Sequence, residues 1–310
     1  MEVLLIIFFI AVGVQVLYFT FYLVTLTKTT VKKPDQALPV SIIICAHDEE
    51  QNLRELIPLL LNQNHPEFEI IVVDDRSNDG TFDLLLQETS KDHRLRMVHV
   101  NRTPQLFNTK KYALTLGIKS AKYEWLLLTD ADCRPTSKEW IRSIAKHFSP
   151  TNQFVLGFSP YQERPGFLNK FIRFETLITG MQYISFAMAG IPYMGVGRNL
   201  SYRRSKFLDV KGFNNFTKIT GGHDDLFVNQ HARKNNTAVC VDEDSIVTSV
   251  PKATFATFFN QKVRHLSVGK YYRFGHRLLL GLFTLTWILT WLMGIPLAII
   301  SPLKYVVAGL

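Results

Sequence analysis

Two aspartates that follow a short apolar segment carry the clearest chemical signal in this 310-residue sequence. Residues 125–129 (WLLLT) form a mostly apolar run that predicts a buried strand, and Asp130 and Asp132 come directly after it. Alternate residues of an extended segment point to the same side, so the two carboxylates are expected to face one point. Paired carboxylate oxygens are suitable ligands for a hard divalent cation. The pattern therefore predicts a metal site at the end of a strand.

Other common reactive motifs are absent from the sequence. No GxGxxG follows the first predicted strand and no GxxxxGK[ST] occurs, which disfavours dinucleotide-binding and P-loop proteins. The three cysteines, Cys45, Cys133 and Cys240, form no CxxC pair, so neither a disulfide framework nor a cysteine zinc site is expected. Most of the net charge of +9 lies beside an apolar segment, which favours a membrane surface or an anionic phosphate ligand over a nucleic acid.

Between residues 40 and 129 the sequence alternates between strand and helix patterns. Apolar runs predict strands at residues 40–44, 68–73, 97–100 and 125–129, and helical spacing predicts helices at residues 50–62, 81–90 and 110–120. Such alternation indicates right-handed βαβ units and an α/β domain with a doubly wound, mostly parallel sheet. Ligands of such sheets bind beyond the carboxyl ends of the strands. Asp74 and Asp75 close the second strand, so one edge of the sheet is expected to hold the site.

Two uncharged apolar segments predict membrane helices near the two ends of the chain. Residues 3–27 and 278–300 are each long enough to cross a bilayer. A cleaved signal peptide is the alternative for the first segment, but it would have a basic start and a small-residue cleavage site. Lysine and arginine flank both segments on the side of the middle region. The positive-inside rule therefore predicts a multi-pass protein of the cell membrane with a cytoplasmic middle region.

The predicted organisation follows from these segments. It consists of a transmembrane helix at 1–27, a basic linker at 28–38, a cytoplasmic domain at 39–250, a basic juxtamembrane segment at 251–277, a transmembrane helix at 278–300 and the start of a further membrane segment at 301–310. No acidic residue follows Asp244. The basic residues after that point are Lys252, Lys262, Arg264, Lys270, Arg273, Arg277 and Lys304.

Several motifs, in the order in which they occur, resemble those of the membrane-bound family 2 glycosyltransferases, which have the glycosyltransferase-A fold. Residues 39–50 (PVSIIICAHDEE) resemble the opening strand and loop of that family, with Asp48 in place of the usual Asn. Residues 69–81 (EIIVVDDRSNDGT) resemble its nucleotide-recognition segment, in which an aspartate at the position of Asp75 contacts the nucleoside. Residues 110–114 (KKYAL) resemble its lysine segment, and residues 129–132 (TDAD) resemble its metal motif, with Asp132 as the direct ligand.

Two later motifs extend the resemblance. Residues 222–226 (GHDDL) resemble the acidic pair that supplies the catalytic base, with Asp224 in the usual Glu position and Asp225 as the expected base. Residues 261–265 (QKVRH) resemble QxxRW, with His265 in place of Trp. The resemblance implies nucleotide or donor binding by Ala46, Asp48, Glu49, Asp75, Lys110, Asp130, Gln261 and Arg264. It also implies metal binding by Asp132 and Asp130, and it makes His223, His265 and Gly197 candidates for acceptor or loop contacts.

The resemblance implies an inverting, metal-dependent glycosyltransferase. A sugar would move from a nucleotide-diphosphate donor to a hydroxyl of a lipid-linked or saccharide acceptor at the membrane. Mg²⁺ or Mn²⁺ at Asp132 would neutralise the diphosphate, Arg264 suits the same phosphates, and Asp225 would accept the proton of the attacking hydroxyl. The alternatives are a processive polysaccharide synthase, a nucleotidyltransferase-like enzyme and a non-catalytic membrane protein. The expected partners are the donor, the acceptor and membrane lipid, without nucleic acid.

Two further segments have open alternatives. Residues 165–188 are apolar and aromatic, which fits either core packing or an interfacial helix that brings a lipid-linked acceptor to the site. Residues 195–199 (GVGRN) form a loop before a strand predicted at residues 200–202, and its glycines allow close approach of the backbone to a ligand. His223 is interpreted either as a metal ligand or orienting group, or as a hydrogen-bonded loop residue. His147 and His231 are expected on the surfaces of helices.

Overall fold

The computed structural model describes residues 2–27, 37–105 and 107–300, without the side chain of residue 300. These residues belong to two units. One unit contains the terminal helices α1 (Glu2–Leu26) and α10 (Phe274–Ile300), and the other contains the described residues between 37 and 271. Residues 28–36 of the predicted linker and the predicted membrane segment at 301–310 lie outside the described residues.

The terminal helices are long and apolar enough to cross a membrane, as the sequence predicts. Within their unit, the side-chain amide of Gln15 donates to the backbone oxygen of Phe283 at 2.9 Å and to the hydroxyl of Thr286 at 2.6 Å. The hydroxyl of Tyr18 donates to the backbone oxygen of Leu279 at 2.8 Å. In hydrocarbon, such bonds join helices because an unpaired polar group there is unfavourable. Gln15, a strongly polar side chain in an apolar helix, therefore links α1 to α10.

The second unit is built around a seven-stranded sheet. Its strands are β1 (Val40–Ala46), β2 (Phe68–Asp74), β3 (Leu95–His99), β4 (Trp125–Leu128), β6 (Phe154–Gly157), β7 (Leu200–Arg203) and β8 (Thr237–Cys240), and a separate two-stranded sheet contains β5 (Cys133–Pro135) and β9 (Val247–Ser249). The order in the large sheet is β3-β2-β1-β4-β7-β6-β8. Only β7 runs antiparallel to its neighbours. The predicted mostly parallel sheet is therefore confirmed.

Helices pack beside this sheet. They are α2 (Glu50–Leu61), α3 (Thr81–Lys91), α4 (Thr109–Ser120), α5 (Trp140–Ala145), α6 (Phe167–Met188), α7 (Arg204–Asp209), α8 (Asp225–His231) and α9 (Phe255–Val268). The helical spacing in α2 predicts an apolar set of Leu53, Leu56, Ile57, Leu60 and Leu61. The first four are buried, and Leu61 is partly buried. In α4 the side chain of Asn108 accepts the backbone N–H of Lys111, which satisfies a free donor of the first turn and fixes where the helix begins.

The parallel neighbours β2, β1 and β4 place their carboxyl ends at the same edge of the sheet. The register pairs Ala46, the last residue of β1, with Asp74, the last residue of β2. The first strand, whose residues are buried or nearly so, thus fixes the segments that follow β2 and β4. The fold therefore brings the aspartates after these strands to one edge, as expected for an α/β sheet.

The sequence pattern misses four strands, namely β5, β6, β8 and β9. Each has only three or four residues, a length at which alternation and apolar runs carry little information. Long-range pairing creates them. For example, β6 lies between the antiparallel β7 and the parallel β8, so its backbone donors and acceptors find partners on both sides.

Candidate active site

Asp130 lies just beyond the carboxyl end of β4 and is paired with a lysine. All four residues of β4 are buried, so the strand is held firmly in the sheet. The Nζ of Lys110, in the first turn of α4, lies 2.8 Å from Oδ1 of Asp130. Burial opposes the ionisation of Asp130, but the charge of Lys110 and this hydrogen bond lower the pKa of the carboxyl. Asp130 is therefore a carboxylate with a fixed cationic neighbour.

Asp132 has a different environment. Its carboxylate accepts hydrogen bonds only from the Ser249 hydroxyl at 3.5 Å and the Cys133 thiol at 3.8 Å, and it forms no ion pair with any residue that the structure describes. Burial and the charge of Asp130 raise the pKa of Asp132. Burial also raises the pKa of Glu49, with contributions from both aspartates. Mutually repelling carboxyl groups with free oxygens have the ligand chemistry that Mg²⁺ and Mn²⁺ require.

Arg198 supplies a second cation to these carboxylates. Its guanidinium lies over the ring of Tyr161, with 4.3 Å between Cζ and the ring centroid, and its Nη2 donates to the backbone oxygen of Ser159 at 3.2 Å. Its Nη1 is buried and has no hydrogen-bond partner among the described residues. The charges of Asp130 and Asp132 act on this guanidinium. A buried cationic donor without a partner is suited to an anionic ligand.

A loop that begins with two glycines presents Asp224. Gly221 and Gly222 have φ angles of 83° and 76°, a region that glycine adopts without strain. The Oδ2 of Asp224 accepts the backbone N–H of Gly197 at 2.8 Å. A Cβ at Gly197 would lie 3.1 Å from that oxygen, so glycine permits the close approach. Burial opposes the ionisation of Asp224, but His223 and the Gly197 N–H hold the pKa of the carboxyl well below its usual range.

Asp225 faces a different set of groups. It begins α8, is only 9% exposed, and its Oδ1 accepts the next backbone N–H at 2.7 Å. The fully buried Lys111 donates from Nζ to the backbone oxygens of Phe216 at 2.6 Å and Ile219 at 2.5 Å. Burial lowers the pKa of Lys111 to about 8, against the attraction of Asp225 and Asp224. Lys111 thus ties α4 to the segment that precedes the acidic pair.

The segments that follow β1 and β2 contain the predicted nucleotide-binding residues. The backbone N–H of Asp75 donates to the backbone oxygen of Ala46 at 2.8 Å, and Oδ1 of Asp48 accepts the N–H of Asn78 at 2.6 Å. The Nε of Arg76 donates to the Asp75 carboxylate at 2.9 Å. Positive φ angles at Asp48 and Arg76 mark tight backbone turns. Ala46 is buried and its backbone oxygen already accepts the N–H of Asp75, so Ala46 serves to hold the segment that follows β2.

Helix α9 carries the QKVRH motif. The Nε2 of Gln261 donates to the hydroxyl of Tyr161 at 3.3 Å, and the same tyrosine ring lies against Arg198. Desolvation lowers the pKa of His265 to about 4, against the attraction of the Asp224 carboxylate. Arg264 is exposed and forms no ion pair within the described part of the chain. Gln261 therefore connects α9 to Arg198 through Tyr161, and the charges of Asp130 and Asp132 act on that guanidinium.

The family model described as Glycosyl transferase family 2 matches residues 41–210, more than half of the chain. The chain belongs to this family. In this glycosyltransferase, the matched region includes the aspartates after β2 and β4, the lysines of α4 and the loop with Arg198. The acidic pair at Asp224 and Asp225 and the QKVRH segment of α9 follow the matched region.

Two named bacterial proteins are similar to this glycosyltransferase over part of its length. It is 33% identical over 95 residues to poly-beta-1,6-N-acetyl-D-glucosamine synthase of Staphylococcus epidermidis, a match that covers 30% of this chain and 21% of the synthase. It is 28% identical over 175 residues to the probable glycosyltransferase YdaM of Bacillus subtilis, and this match covers 54% of this chain and 40% of YdaM. The matches thus span less than half of either relative.

A solved structure shows the same fold over nearly the whole chain. The mannosyltransferase PcManGT from Pyrobaculum calidifontis, in complex with GDP-Man and Mn²⁺, has a TM-score of 0.71 and covers 99% of this chain and 89% of its own. The two sequences are 17% identical, so the likeness establishes the fold. The predicted glycosyltransferase-A fold is therefore confirmed.

The structure brings most of the predicted site residues together. Charges of Asp130 and Asp224 both act on Lys110 and on His223, so the metal motif and the acidic pair face a common space. Glu49 and Gly197 contribute to the same region. Asp48 and Arg264 are exceptions, because no contact among the described residues links their side chains to these carboxylates.

The expectation for His147 is wrong. It was expected on a helix surface, but it is buried and follows α5. Its ring, the thiol of Cys240 and the carboxylate of Asp242 bring potential ligand atoms within 4.8 Å of one another. The hydroxyl of Ser143 already donates to Asp242 at 3.3 Å, and none of these residues belongs to the aspartate site.

Sequence reasoning missed two residues that organise the site. Arg198 lies in the GVGRN loop, which attracted attention only for its glycines. Lys111 directly follows Lys110, and two adjacent lysines give no indication of which one is buried. The signal available for Arg198 was a single arginine inside a glycine-containing loop. No signal in the sequence pointed to Lys111.

Proposed function

We propose that this glycosyltransferase transfers a sugar, with inversion, from a nucleotide-diphosphate sugar to a hydroxyl of a lipid-linked or saccharide acceptor. The observation that carries the proposal is the position of Lys110 and His223 between the two motifs. Lys110 pairs with Asp130 at 2.8 Å, His223 lies 3.9 Å from Asp224, and the charges of Asp130 and Asp224 act on both side chains. Sugar transfer needs one group of residues to hold the leaving diphosphate and a separate carboxylate to take a proton. These two carboxylate pairs supply both requirements.

On this proposal, the nucleotide diphosphate binds at the edge formed by β2, β1 and β4. Asp75 would contact the nucleoside, and the free oxygens of Asp132 would hold Mg²⁺ or Mn²⁺ with help from Asp130. The bound cation would neutralise the charge that builds up on the diphosphate. Arg198 would bind the same anion through its unpartnered Nη1, because a guanidinium matches phosphate oxygens geometrically.

We assign the role of base to Asp224. The sequence favoured Asp225, but Asp225 is only 9% exposed and its Oδ1 accepts the backbone N–H of the next residue, Leu226. The Asp224 carboxylate interacts with Lys110, His223 and the Gly197 backbone, which are the groups nearest the metal motif. A base must lie within hydrogen-bonding reach of the hydroxyl that it deprotonates. A single base opposite the leaving diphosphate, with no separate nucleophile, implies one displacement and inversion.

The two candidate spans suggest where the reaction takes place. A retained α1 and α10 would anchor the enzyme in the cell membrane. Basic residues flank both helices on the side of the catalytic domain, which favours a cytoplasmic domain with access to nucleotide sugars.

A processive synthase is the second candidate because the similar Staphylococcus epidermidis protein is a poly-beta-1,6-N-acetyl-D-glucosamine synthase. Native membranes that contain the full chain would be supplied with several nucleotide sugars, and the products would be analysed by mass spectrometry. One added sugar per acceptor supports single transfer, and a ladder of lengths supports the synthase. Absence of any new glycoside with every donor would contradict both candidates.

The donor site has a direct test in the Asp132→Ala variant. The binding of UDP or GDP would be measured by isothermal calorimetry with and without Mn²⁺. The variant should lose the Mn²⁺-dependent part of its nucleotide affinity, because it lacks the carboxylate that forms no ion pair and is free to bind the metal. Asp83→Ala, which removes an exposed carboxylate of α3, is the matched control and should bind as the wild type does. Equal metal dependence in a folded Asp132→Ala variant would show that the metal lies elsewhere.

A further inference from the structure

A histidine, a cysteine and an aspartate from distant parts of the chain meet beside α5 and β8. His147 follows α5, Cys240 is the last residue of β8, and Asp242 lies in the turn after that strand. A ring nitrogen, the thiol sulfur and a carboxylate oxygen all lie within 4.8 Å of one another. We call these three side chains the His–Cys–Asp cluster. Histidine nitrogen, cysteine sulfur and carboxylate oxygen are the ligand types that bind zinc in proteins.

The spacing of the cluster is close to that of a zinc site. The Oδ2 of Asp242 lies 4.0 Å from the Sγ of Cys240. At a tetrahedral zinc ion, with Zn–S of about 2.3 Å and Zn–O of about 2.0 Å, these two atoms would be about 3.5 Å apart. The His147 nitrogen lies within 4.8 Å of both atoms, so an approach of at most about 1.5 Å brings it to the tetrahedral spacing. Small side-chain rotations are sufficient for all three ligands to reach one ion.

Burial and charge favour a divalent cation of this kind. Cys240 is 0% exposed and His147 is 6% exposed, whereas Asp242 is exposed. When the metal binds, the thiol gives its proton to solvent, and the thiolate and the carboxylate then neutralise the two charges of the ion. A thiolate and an imidazole select Zn²⁺ over Mg²⁺ and Mn²⁺, which prefer oxygen ligands. The exposure of Asp242 gives water access as the fourth ligand, as in other zinc sites with three protein ligands.

Hydrogen bonds around the cluster hold its ligands in place. The hydroxyl of Ser143, on α5, donates to Oδ2 of Asp242 at 3.3 Å. The side-chain amide of Asn152 donates to the backbone oxygen of His147 at 2.8 Å. The backbone N–H and the hydroxyl of Ser245 donate to the backbone oxygen of Asp242 at 2.9 and 2.7 Å. Outer partners of this kind fix the orientation of metal ligands.

We propose that the His–Cys–Asp cluster binds a Zn²⁺ ion that fastens the end of α5 to the turn after β8. This site is separate from the aspartate site, whose oxygen ligands suit Mg²⁺ or Mn²⁺. The sequence predicts no cysteine zinc site because zinc motifs are recognised by ligands that lie close together in the chain. Here the fold brings His147 to a strand that lies far from it in sequence.

The turn fastened by this ion supports the active site. The backbone oxygen of Ser245, in this turn, accepts the side-chain amide of Asn199 at 2.8 Å, and Asn199 directly follows Arg198. Strand β9 begins just after the turn and ends at Ser249, whose hydroxyl donates to Asp132 at 3.5 Å. The zinc ion therefore has a structural role, in which it stabilises the segments behind two side chains of the aspartate site.

The test uses the full chain in detergent, reduced with a phosphine, stripped of metal with a chelator and then freed of the chelator. The protein is titrated with Co²⁺, which replaces zinc in such sites and shows a thiolate-to-cobalt absorption band. Cys240→Ser removes the sulfur with little change of size, and Asp242→Asn removes an exposed carboxylate. The matched control is Glu243→Gln, which changes the neighbouring exposed carboxylate. Asp132→Ala separates this site from the aspartate site.

In the wild type the band should saturate at one Co²⁺ per chain and disappear when Zn²⁺ is added. Cys240→Ser should lack the band, and Asp242→Asn should raise the Kd for Co²⁺ at least about 10-fold, since even the loss of an outer partner costs about that much. Glu243→Gln and Asp132→Ala should both retain the wild-type band. Zn²⁺ should also raise the melting temperature of the wild type and of Glu243→Gln, but not that of Cys240→Ser.

Three results would overturn the proposal. They are the absence of the band in folded wild-type protein, a band that survives in Cys240→Ser, and an unchanged Kd for Co²⁺ in Asp242→Asn. A band that disappears in Asp132→Ala would also overturn it, because the metal would then lie at the aspartate site. No sugar transfer is measured, so the outcome is independent of the proposed reaction.

Discussion

The two carboxylate pairs of this glycosyltransferase are positioned by different kinds of structure. Asp130 and Asp132 follow β4, whose four residues are buried in the centre of the sheet and paired on both sides. Asp224 and Asp225 follow two glycines with positive φ and begin a helix of seven residues. Their position depends on bonds from distant segments, from the Gly197 N–H to Asp224 and from Lys111 to the preceding loop.

The two pairs therefore differ in how firmly they are held, and this difference suits different roles. A strand end in a packed sheet moves little, because displacing it would break a ladder of backbone bonds and a buried apolar core. That rigidity suits a metal site, which needs fixed ligand positions. A loop held by a few hydrogen bonds can be displaced by the loss of one of them. We therefore expect substitutions around the acidic pair to affect sugar transfer while leaving binding of the metal and donor intact.

The largest expected effect is that of Asp224→Asn, which tests whether the second pair is the catalytic one. Asn keeps the shape of Asp but cannot accept the proton of the hydroxyl, and general-base catalysis contributes about 10²–10⁴-fold. We expect kcat to fall by that factor while the Kd for the nucleotide sugar stays within about three-fold. Asp225→Asn is the matched control and should retain most of the activity. The reverse ranking would return the base to Asp225.

The second largest effect is expected for Lys111→Met. This substitution removes a contact from α4 that supports the acidic pair without belonging to it. The substitution removes the charged donor from the backbone oxygens of Phe216 and Ile219. The Phe216 oxygen still accepts the N–H of Ile219, so a cost of about 1–3 kcal/mol is expected for the Ile219 oxygen alone, which has no other donor among the described residues. We expect a lower melting temperature in detergent and a lower kcat, with Mn²⁺-dependent nucleotide binding retained at a temperature where the variant is folded. Lys119→Met, on the exposed end of the same helix, should change neither.

Loss of metal-dependent nucleotide binding in folded Lys111→Met protein would contradict the independence of the two pairs.

The pH dependence of the free energy of unfolding provides a second check on Lys111. Because the folded pKa of Lys111, about 8, is below its usual value of 10.5, the unfolded chain binds more protons between these values. This group should therefore make the wild type more stable as pH rises from 8 to 10.5, and the Met variant should lack that contribution.

The smallest expected effect concerns Arg198, which faces the metal motif from the loop that also contacts Asp224. Arg198→Lys keeps the charge but loses the planar guanidinium that lies over Tyr161 and supplies the unpartnered Nη1. We expect the Kd for the nucleotide diphosphate to rise on the order of 10-fold, equivalent to about 1.4 kcal/mol, by calorimetry. Arg142→Lys on α5 serves as the control. An unchanged Kd would show that Arg198 only packs against Tyr161.

Local sequence patterns are sufficient to predict the region from β1 to β4. Its strands and helices are long, their apolar spacing is regular, and parallel strands joined by helices place their carboxyl ends at one edge. The expected position of Asp75, Asp130 and Asp132 at that edge needed only local patterns and the handedness of the connections. The terminal apolar helices were determined in the same way, because their length and lack of charge are properties of short segments.

The contacts in the later half of the catalytic domain depend instead on long-range packing. Strands of three or four residues form there because distant segments pair with them, and Asp224 is placed by a bond from Gly197, 27 residues away. Burial of Lys111 rather than Lys110 depends on the segment that covers it, and no local pattern distinguishes the two. The division of α6 into a buried half and an exposed half likewise depends on what packs against each turn, a property that apolar composition alone leaves open.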